Sequence, residues 1–204
     1  MKKWLIIILI LVGVGTLVYA LMQISKKEVP IPKNPTIIGF GDSLVAGYGA
    51  TGGNDFISVL SKSIGQPIQN FGVSGDTTAD ALVRINTVTV KDPGIVILLI
   101  GGNDILRNVP IVETEKNIRT IVETFTKQKT IVVLVGVRGA LLNDSYGPMY
   151  ESIAHDNDLI YVPNILGGLI GNSTYMYDAV HPNDAGYMRV AEKIEDAIRP
   201  LLSK

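Results

Sequence analysis

The chain has 204 residues, with 18 Lys and Arg against 19 Asp and Glu, two His and no Cys, for a formal charge of −1. That length suits one α/β domain with a sizeable core, and the lack of cysteine excludes disulfides, thiolate metal ligation, a cysteine nucleophile and a lipoprotein anchor. Residues 1–33 hold five lysines against one glutamate, so the remainder carries 13 basic and 18 acidic residues and is net −5, which gives no electrostatic reason to bind nucleic acid.

Met1-Lys2-Lys3 precedes an uncharged apolar run from Trp4 to Met22. As a helix that run would be roughly 28 Å long, close to the hydrocarbon thickness of a bilayer. Val18-Tyr19-Ala20 resembles a small-residue cleavage site, but the run continues through Leu21 and Met22. Residues 1–24 are therefore expected to be an uncleaved membrane anchor, with a cleaved signal peptide as the alternative. In both cases the leading lysines stay cytoplasmic and the domain is extracytoplasmic, either tethered or exported. Pro30, Pro32 and Pro35 among charges mark residues 25–35 as an extended linker, and one domain follows over 36–204.

Apolar, β-branched runs recur at 36–40, 67–70, 94–100, 130–136 and 159–162. Stretches with helical spacing lie between and after them, at 55–64, 77–88, 113–127, 147–156 and 184–201. This alternation predicts a parallel sheet covered by helices on both faces. Ile95 to Ile100 has no polar alternation, as expected of a central strand buried on both sides. Ligands of such sheets bind beyond the carboxyl ends of the strands. Ser43 follows the first strand, Asn70 to Thr77 the second, and Gly101-Gly102-Asn103-Asp104 the third, while Asp178 and His181 lie in the last loop.

Those residue types suit nucleophilic catalysis. A serine hydroxyl needs a neighbouring base to take its proton, and an imidazole titrates in the right range. Asp178 precedes His181 by three residues, a spacing that places both on one side of a helical turn ended by Pro182. The carboxylate would hold the ring in the tautomer that presents a bare nitrogen to Ser43. Backbone N–H groups of Ser43 and Gly75 and the amide of Asn103 are the candidate oxyanion donors. Asp76 or Thr77 reads as a helix cap, and His155, among Asp156, Asn157 and Asp158, as a solvated side chain.

Competing motifs fail on context. Gly47-Tyr48-Gly49-Ala50-Thr51-Gly52 matches a dinucleotide fingerprint, but it starts seven residues after Phe40, and the second strand ends in Gln69-Asn70 rather than an acidic residue. No serine sits in G-x-S-x-G. Two histidines without cysteine make a poor zinc site, so neither metal nor cofactor is expected.

Gly41-Asp42-Ser43-Leu44, Asn70 to Thr77, Gly101 to Asp104 and Asp178-Ala179-Val180-His181-Pro182-Asn183 together resemble the SGNH hydrolases, also called the GDSL esterase/lipase family. The resemblance spans about residues 36–200. Ser43 to Tyr48, Ser74 to Thr77 and Gly102 to Arg107 are most similar to its bacterial thioesterase/arylesterase/lysophospholipase branch. It implies a three-layer α/β/α flavodoxin-like sandwich with a five-stranded parallel sheet in the order 2-1-3-4-5. It also implies Ser43 as nucleophile, Gly75 and Asn103 as oxyanion donors, and Asp178 with His181 as the base pair. Gly72 is a second glycine in the same loop, but Gly75 aligns with the Ser-Gly-Asp-Thr signature. The anchor-like N-terminus departs from the cleaved signal usual for that branch.

The expected activity is serine-dependent hydrolysis of acyl esters or thioesters, such as aryl esters, short or medium acyl esters or lysophospholipids, by a monomer acting through an acyl-enzyme. A carbohydrate O-deacetylase with the same triad is the alternative within enzymes, and a catalytically idle, membrane-tethered binding module the alternative outside them. Residues 105–112 and 138–150, with Leu106, Leu141, Leu142, Tyr146 and Met149, are expected to wall the cleft.

Overall fold

The computed structural model describes residues 35–138 and 145–202. The expected anchor or signal, the linker apart from Pro35, and Leu141 and Leu142 lie outside those residues. Among the described residues no helix is long and apolar enough to cross a membrane.

Five strands form one parallel sheet: β1 (Ile37–Gly41), β2 (Ile68–Gly72), β3 (Ile95–Leu99), β4 (Ile131–Val135) and β5 (Ile160–Val162). Their spatial order is β2-β1-β3-β4-β5, as the family resemblance implies. The described helices are α1 (Ser43–Ala46), α2 (Phe56–Ile64), α3 (Thr78–Arg84), α4 (Asn86–Thr89), α5 (Gly102–Leu106), α6 (Ile111–Lys127), α7 (Tyr146–Asp156) and α8 (Asp184–Leu202). Each expected strand is present within a residue or two of its expected bounds. The expected helix over 77–88 breaks at Ile85 into α3 and α4. Asn86, Thr87, Val88 and Thr89 are weak helix formers, and the Thr87 hydroxyl donates to the Arg84 carbonyl at 2.7 Å, competing with the backbone ladder.

The apolar runs are buried on both faces because successive side chains alternate across the sheet. Ile37, Ile95, Ile97, Leu99, Val133 and Val135 meet α2 and α8 on one face. Ile38, Phe40, Val96, Leu98, Val132 and Leu134 meet α3, α6 and α7 on the other. Helix α6 buries Thr114, Ile118, Ile121, Val122 and Phe125, a single stripe at three- and four-residue spacing. Phe125 stands edge-on to Phe40 with ring centroids 5.9 Å apart, so the second core locks directly under β1.

Gly41 is level with Gly72 on one side and Leu99 on the other, so β1 ends between its two neighbours. The loops that follow β1, β2 and β3 therefore leave the sheet side by side. Phe125→Ala removes a fully buried ring from beneath that edge and is expected to cost about 3–5 kcal/mol in urea unfolding. A loss below about 1 kcal/mol would mean the ring does not brace β1.

Candidate active site

Directly after β1 the chain turns at Asp42 and enters the four-residue helix α1. The Asp42 carboxylate caps it by accepting from the Leu44 N–H at 3.0 Å. This cap places Ser43 at the first helical position, with its side chain at the base of a cleft and 9 % of its surface exposed. Sequence patterning placed Ser43 at a strand end but did not reveal this short helix.

Across the cleft, His181 Nε2 lies 2.9 Å from Ser43 Oγ. Its Nδ1 lies 2.8 Å from Asp178 Oδ2 and 3.0 Å from Oδ1. A carboxylate at Nδ1 keeps the proton on that nitrogen and leaves Nε2 able to accept from the serine. The segment is not the helical turn expected from the three-residue spacing. Asp178 Oδ1 instead accepts the N–H groups of Val180 at 2.9 Å and His181 at 2.8 Å, closing an Asx-type turn. Met176 bridges Pro182 and ties off the loop. Partial burial opposes ionisation of Asp178, but those two N–H groups and the imidazole outweigh it and hold the carboxyl below its ordinary range.

The loop after β2 supplies the next element. Val73 to Asp76 forms a turn closed by Asp76 N–H to the Val73 carbonyl at 3.2 Å, with Gly75 at φ +90°. A side chain at that φ would be strained. Gly72 matters for packing instead, because a Cβ there would lie 2.1 Å from Ala46 N, and the glycine lets β2 rest on the backbone of α1. Its N–H already donates to Asn70 Oδ1 at 2.9 Å. Asn103, on α5, donates one amide hydrogen to the Asp76 carbonyl at 2.9 Å. An amide nitrogen carries two hydrogens, so a second remains to donate. The three β-strand loops and the last loop thus meet, bringing Ser43, Gly75, Asn103, Asp178 and His181 to the same sheet edge. Thr77 caps α3 through a capping box with Asp80. His155 is 88 % exposed on its side chain, away from these groups.

Beneath them lies a charged layer that sequence reasoning missed. Asp104, fully buried, accepts from Thr78 N at 2.9 Å and Thr78 Oγ1 at 2.6 Å, fastening α5 to α3. Arg84 pairs with Asp76 and donates to the carbonyls of Phe71 at 2.9 Å and Gly41 at 2.8 Å. Burial raises the Asp42 carboxyl from its ordinary 3.8 to about 7; the Leu44 N–H opposes this and the nearby Asp104 and Asp76 carboxylates add to it. The only advance signal was that Asp42, Asp76 and Asp104 each follow closely on the end of a strand.

A cavity of about 190 Å³ opens beside Ser43 and His181. Its apolar wall is Leu44, Ile105, Leu106, Val137, Leu166, Ile170 and Val180, with Asn103 at the serine end. Leu106 was expected there. Tyr146 and Met149 were too, but they pack into the core on the face of α6 and α7. Leu166 and Ile170, after β5, carried no sequence signal for this role.

A model of the GDSL-like Lipase/Acylhydrolase family matches residues 40–189. Esterase TesA from Pseudomonas aeruginosa is 27 % identical over 182 residues, covering 82 % of this chain and 89 % of that protein. Thioesterase 1/protease 1/lysophospholipase L1 from Escherichia coli is 25 % identical over 177 residues, covering 82 % and 85 %. Among solved structures, AlinE4, an SGNH-hydrolase family esterase, superposes with a TM-score of 0.65 at 30 % identity, covering 85 % of this chain and 97 % of that one.

The raised Asp42 carboxyl predicts a pH dependence of stability. The folded state keeps a proton that the unfolded chain releases above about 3.8, so the Asp42 contribution to stability is full below that value and falls as pH rises to about 7. Asp42→Asn lacks the titration. In chemical denaturation the variant should gain on the wild type between pH 5 and 7, by at most about 1.4 kcal/mol per pH unit, and hold that gain above pH 7. A pH-independent difference would refute the buried, proton-retaining carboxyl.

Proposed function

This chain belongs to the GDSL-like lipase/acylhydrolase family, and we propose that it hydrolyses carboxylic esters of aliphatic acids through an acyl-enzyme on Ser43. The observation that carries this reading is the continuous relay from Ser43 Oγ through His181 to Asp178, opening onto an apolar cavity.

In this reading Ser43 Oγ attacks the ester carbonyl carbon as His181 Nε2 takes the hydroxyl proton. The carbonyl oxygen becomes an oxyanion, received by the N–H groups of Ser43 and Gly75 and the remaining Asn103 amide hydrogen. Collapse breaks the bond to the leaving oxygen, which departs with the proton from His181. Water then repeats the sequence on the acyl-enzyme, restoring Ser43 and releasing the acid. Asp178 stays ionised and stabilises the transient imidazolium. No step calls on a metal or cofactor.

The acyl group fits the cavity walled by Leu44, Ile105, Val137 and Leu166. Its volume, about 190 Å³, equals several water molecules at roughly 30 Å³ each, more than an acetyl group fills. That favours short or medium acyl chains over carbohydrate O-deacetylation. All the proposed groups come from one chain, so a monomer suffices. The uncharged run from Trp4 to Met22, preceded by two lysines, supports export of the domain, held by an uncleaved anchor or released after signal cleavage.

Ser43→Ala should abolish hydrolysis of 4-nitrophenyl butyrate while the circular dichroism spectrum stays native. Asn103→Ala should lower kcat by about 10²–10³. Retained turnover in the first variant would remove Ser43 as nucleophile and leave the idle-module reading open. An unchanged kcat in the second would reduce Asn103 to its bond with Asp76.

A further inference from the structure

The glycine-rich segment that is not a dinucleotide motif, Gly47 to Gly52, has a definite place in the structure: it crosses the site beside His181. Tyr48 lies in it with its ring centroid 4.6 Å from the imidazole, and Tyr177 stands edge-on to Tyr48 at 6.0 Å. Both rings are exposed, Tyr48 at 50 % and Tyr177 at 61 %. Two large aromatic side chains thus face solvent together next to the histidine.

Their backbone is held firmly. The Tyr48 N–H donates to the Ser43 carbonyl at 3.0 Å, and the Tyr48 carbonyl accepts from the buried Tyr187 hydroxyl at 2.8 Å. Gly49, at φ +92°, packs so closely that a Cβ would lie 2.7 Å from the Pro182 carbonyl oxygen and 2.9 Å from Tyr177 Cβ. Asp184 accepts from Thr51 N at 2.7 Å and from Asn54 Nδ2 at 3.0 Å, fixing the far end of the segment to α8. An exposed aromatic pair on so constrained a backbone is pre-organised for a ligand, since little ordering remains to oppose binding.

The reaction geometry says which part of a substrate meets it. Neither tyrosine lines the apolar cavity, which holds the acyl chain. The leaving oxygen must come within hydrogen-bond reach of His181 Nε2 to receive its proton, roughly 2.6–3.2 Å. Tyr48, 4.6 Å from the imidazole, is thus placed for a planar ring on that oxygen to pack against it at the roughly 4.5–7 Å centroid spacing of attractive aromatic pairs. Resting on the acyl-hydrolase reading above, we propose that Tyr48 and Tyr177 form a leaving-group subsite that takes an aromatic alcohol, outside the apolar cavity, which neither tyrosine lines.

The test compares phenyl butyrate with methyl butyrate, which share an acyl group. The wild-type ratio of kcat/KM for the phenyl over the methyl ester should fall roughly three- to tenfold in Tyr48→Ala and in Tyr177→Ala. If Tyr48 only props His181, both esters lose equally and the ratio stays constant, which overturns the subsite. Tyr177 makes the sharper control, because its ring touches Tyr48 rather than the imidazole. A second arm needs no turnover. Ser43→Ala should bind phenyl butyrate more tightly than methyl butyrate in ligand-detected NMR titration, and adding Tyr48→Ala should erase that preference. Equal binding of the two esters by Ser43→Ala overturns the subsite. A wild type that cleaves neither ester, with the binding preference intact, instead overturns the hydrolase reading.

Discussion

Parallel strands that stop at a sheet edge leave carbonyls with no further strand to receive, and a buried carbonyl without a donor is costly. The site of this protein is built on the side chains that meet that demand. Arg84 reaches under the edge to serve the Phe71 carbonyl, near the end of β2, and to give the Gly41 carbonyl a second donor beside the Val73 N–H at 2.9 Å, while its guanidinium lies 4.5 Å over the Phe40 ring. Tyr150 gives its hydroxyl to the Ile100 carbonyl at the end of β3. With those acceptors satisfied from below, the chain above can turn sharply into α1 and α5. The two one-turn helices that present Ser43 and Asn103 depend on this arrangement more than on any helical propensity of their own.

The half-buried Arg84 cation has carboxylates in its layer. Asp76 pairs with Arg84, and Asp42 and Asp104 cap α1 and join α5 to α3 from the same layer. Of these three, Asp42 is 1 % exposed and has no cation in contact among the described residues, and its burial, with the Asp104 and Asp76 carboxylates nearby, raises its carboxyl. This layer also couples the loops. Asn103 donates to the Asp76 carbonyl, Asp76 pairs with Arg84, and Arg84 holds the carbonyl just before Asp42. A displacement of α3 would therefore reach Ser43 and Asn103 together.

Legibility in the sequence followed the kind of force involved. The five strands and the long helices could be read because burial on both faces leaves unbroken apolar runs and helical stripes, as in Ile95 to Leu99 and the buried side of α6. Ser43, Asn103, Asp178 and His181 could be read because their chemistry restricts residue type and their loops follow strands. Helix α1 could not be read, because at four residues it is too short to show a helical period. Nor could the Asx-type turn of 178–181, since a three-residue spacing fits it as well as a helix does. Nothing in the local sequence marks Arg84. Its role is set by β1 and β2, which lie far from it in sequence. The walls of the cavity, from Val137, Leu166 and Ile170, are long-range products of packing and leave no local pattern.

The two carboxylates nearest Ser43 show how one edge of a sheet can assign opposite duties to the same functional group. Asp42 is 1 % exposed, and burial outweighs its hydrogen bonds and drives it toward the protonated form. Asp178 has 38 % of its side chain exposed, receives two backbone N–H groups and faces the imidazole, so it keeps its charge. Exchanging those environments would disable the relay. In the mechanism proposed above, a neutral acid at Nδ1 could not stabilise an imidazolium, and a full charge beneath Ser43 would oppose an oxyanion at that serine. The division follows from depth and partners together: the inner carboxyl caps α1 and is pushed up by burial, and the outer one, at the solvent boundary, is held ionised by two N–H groups and the imidazole.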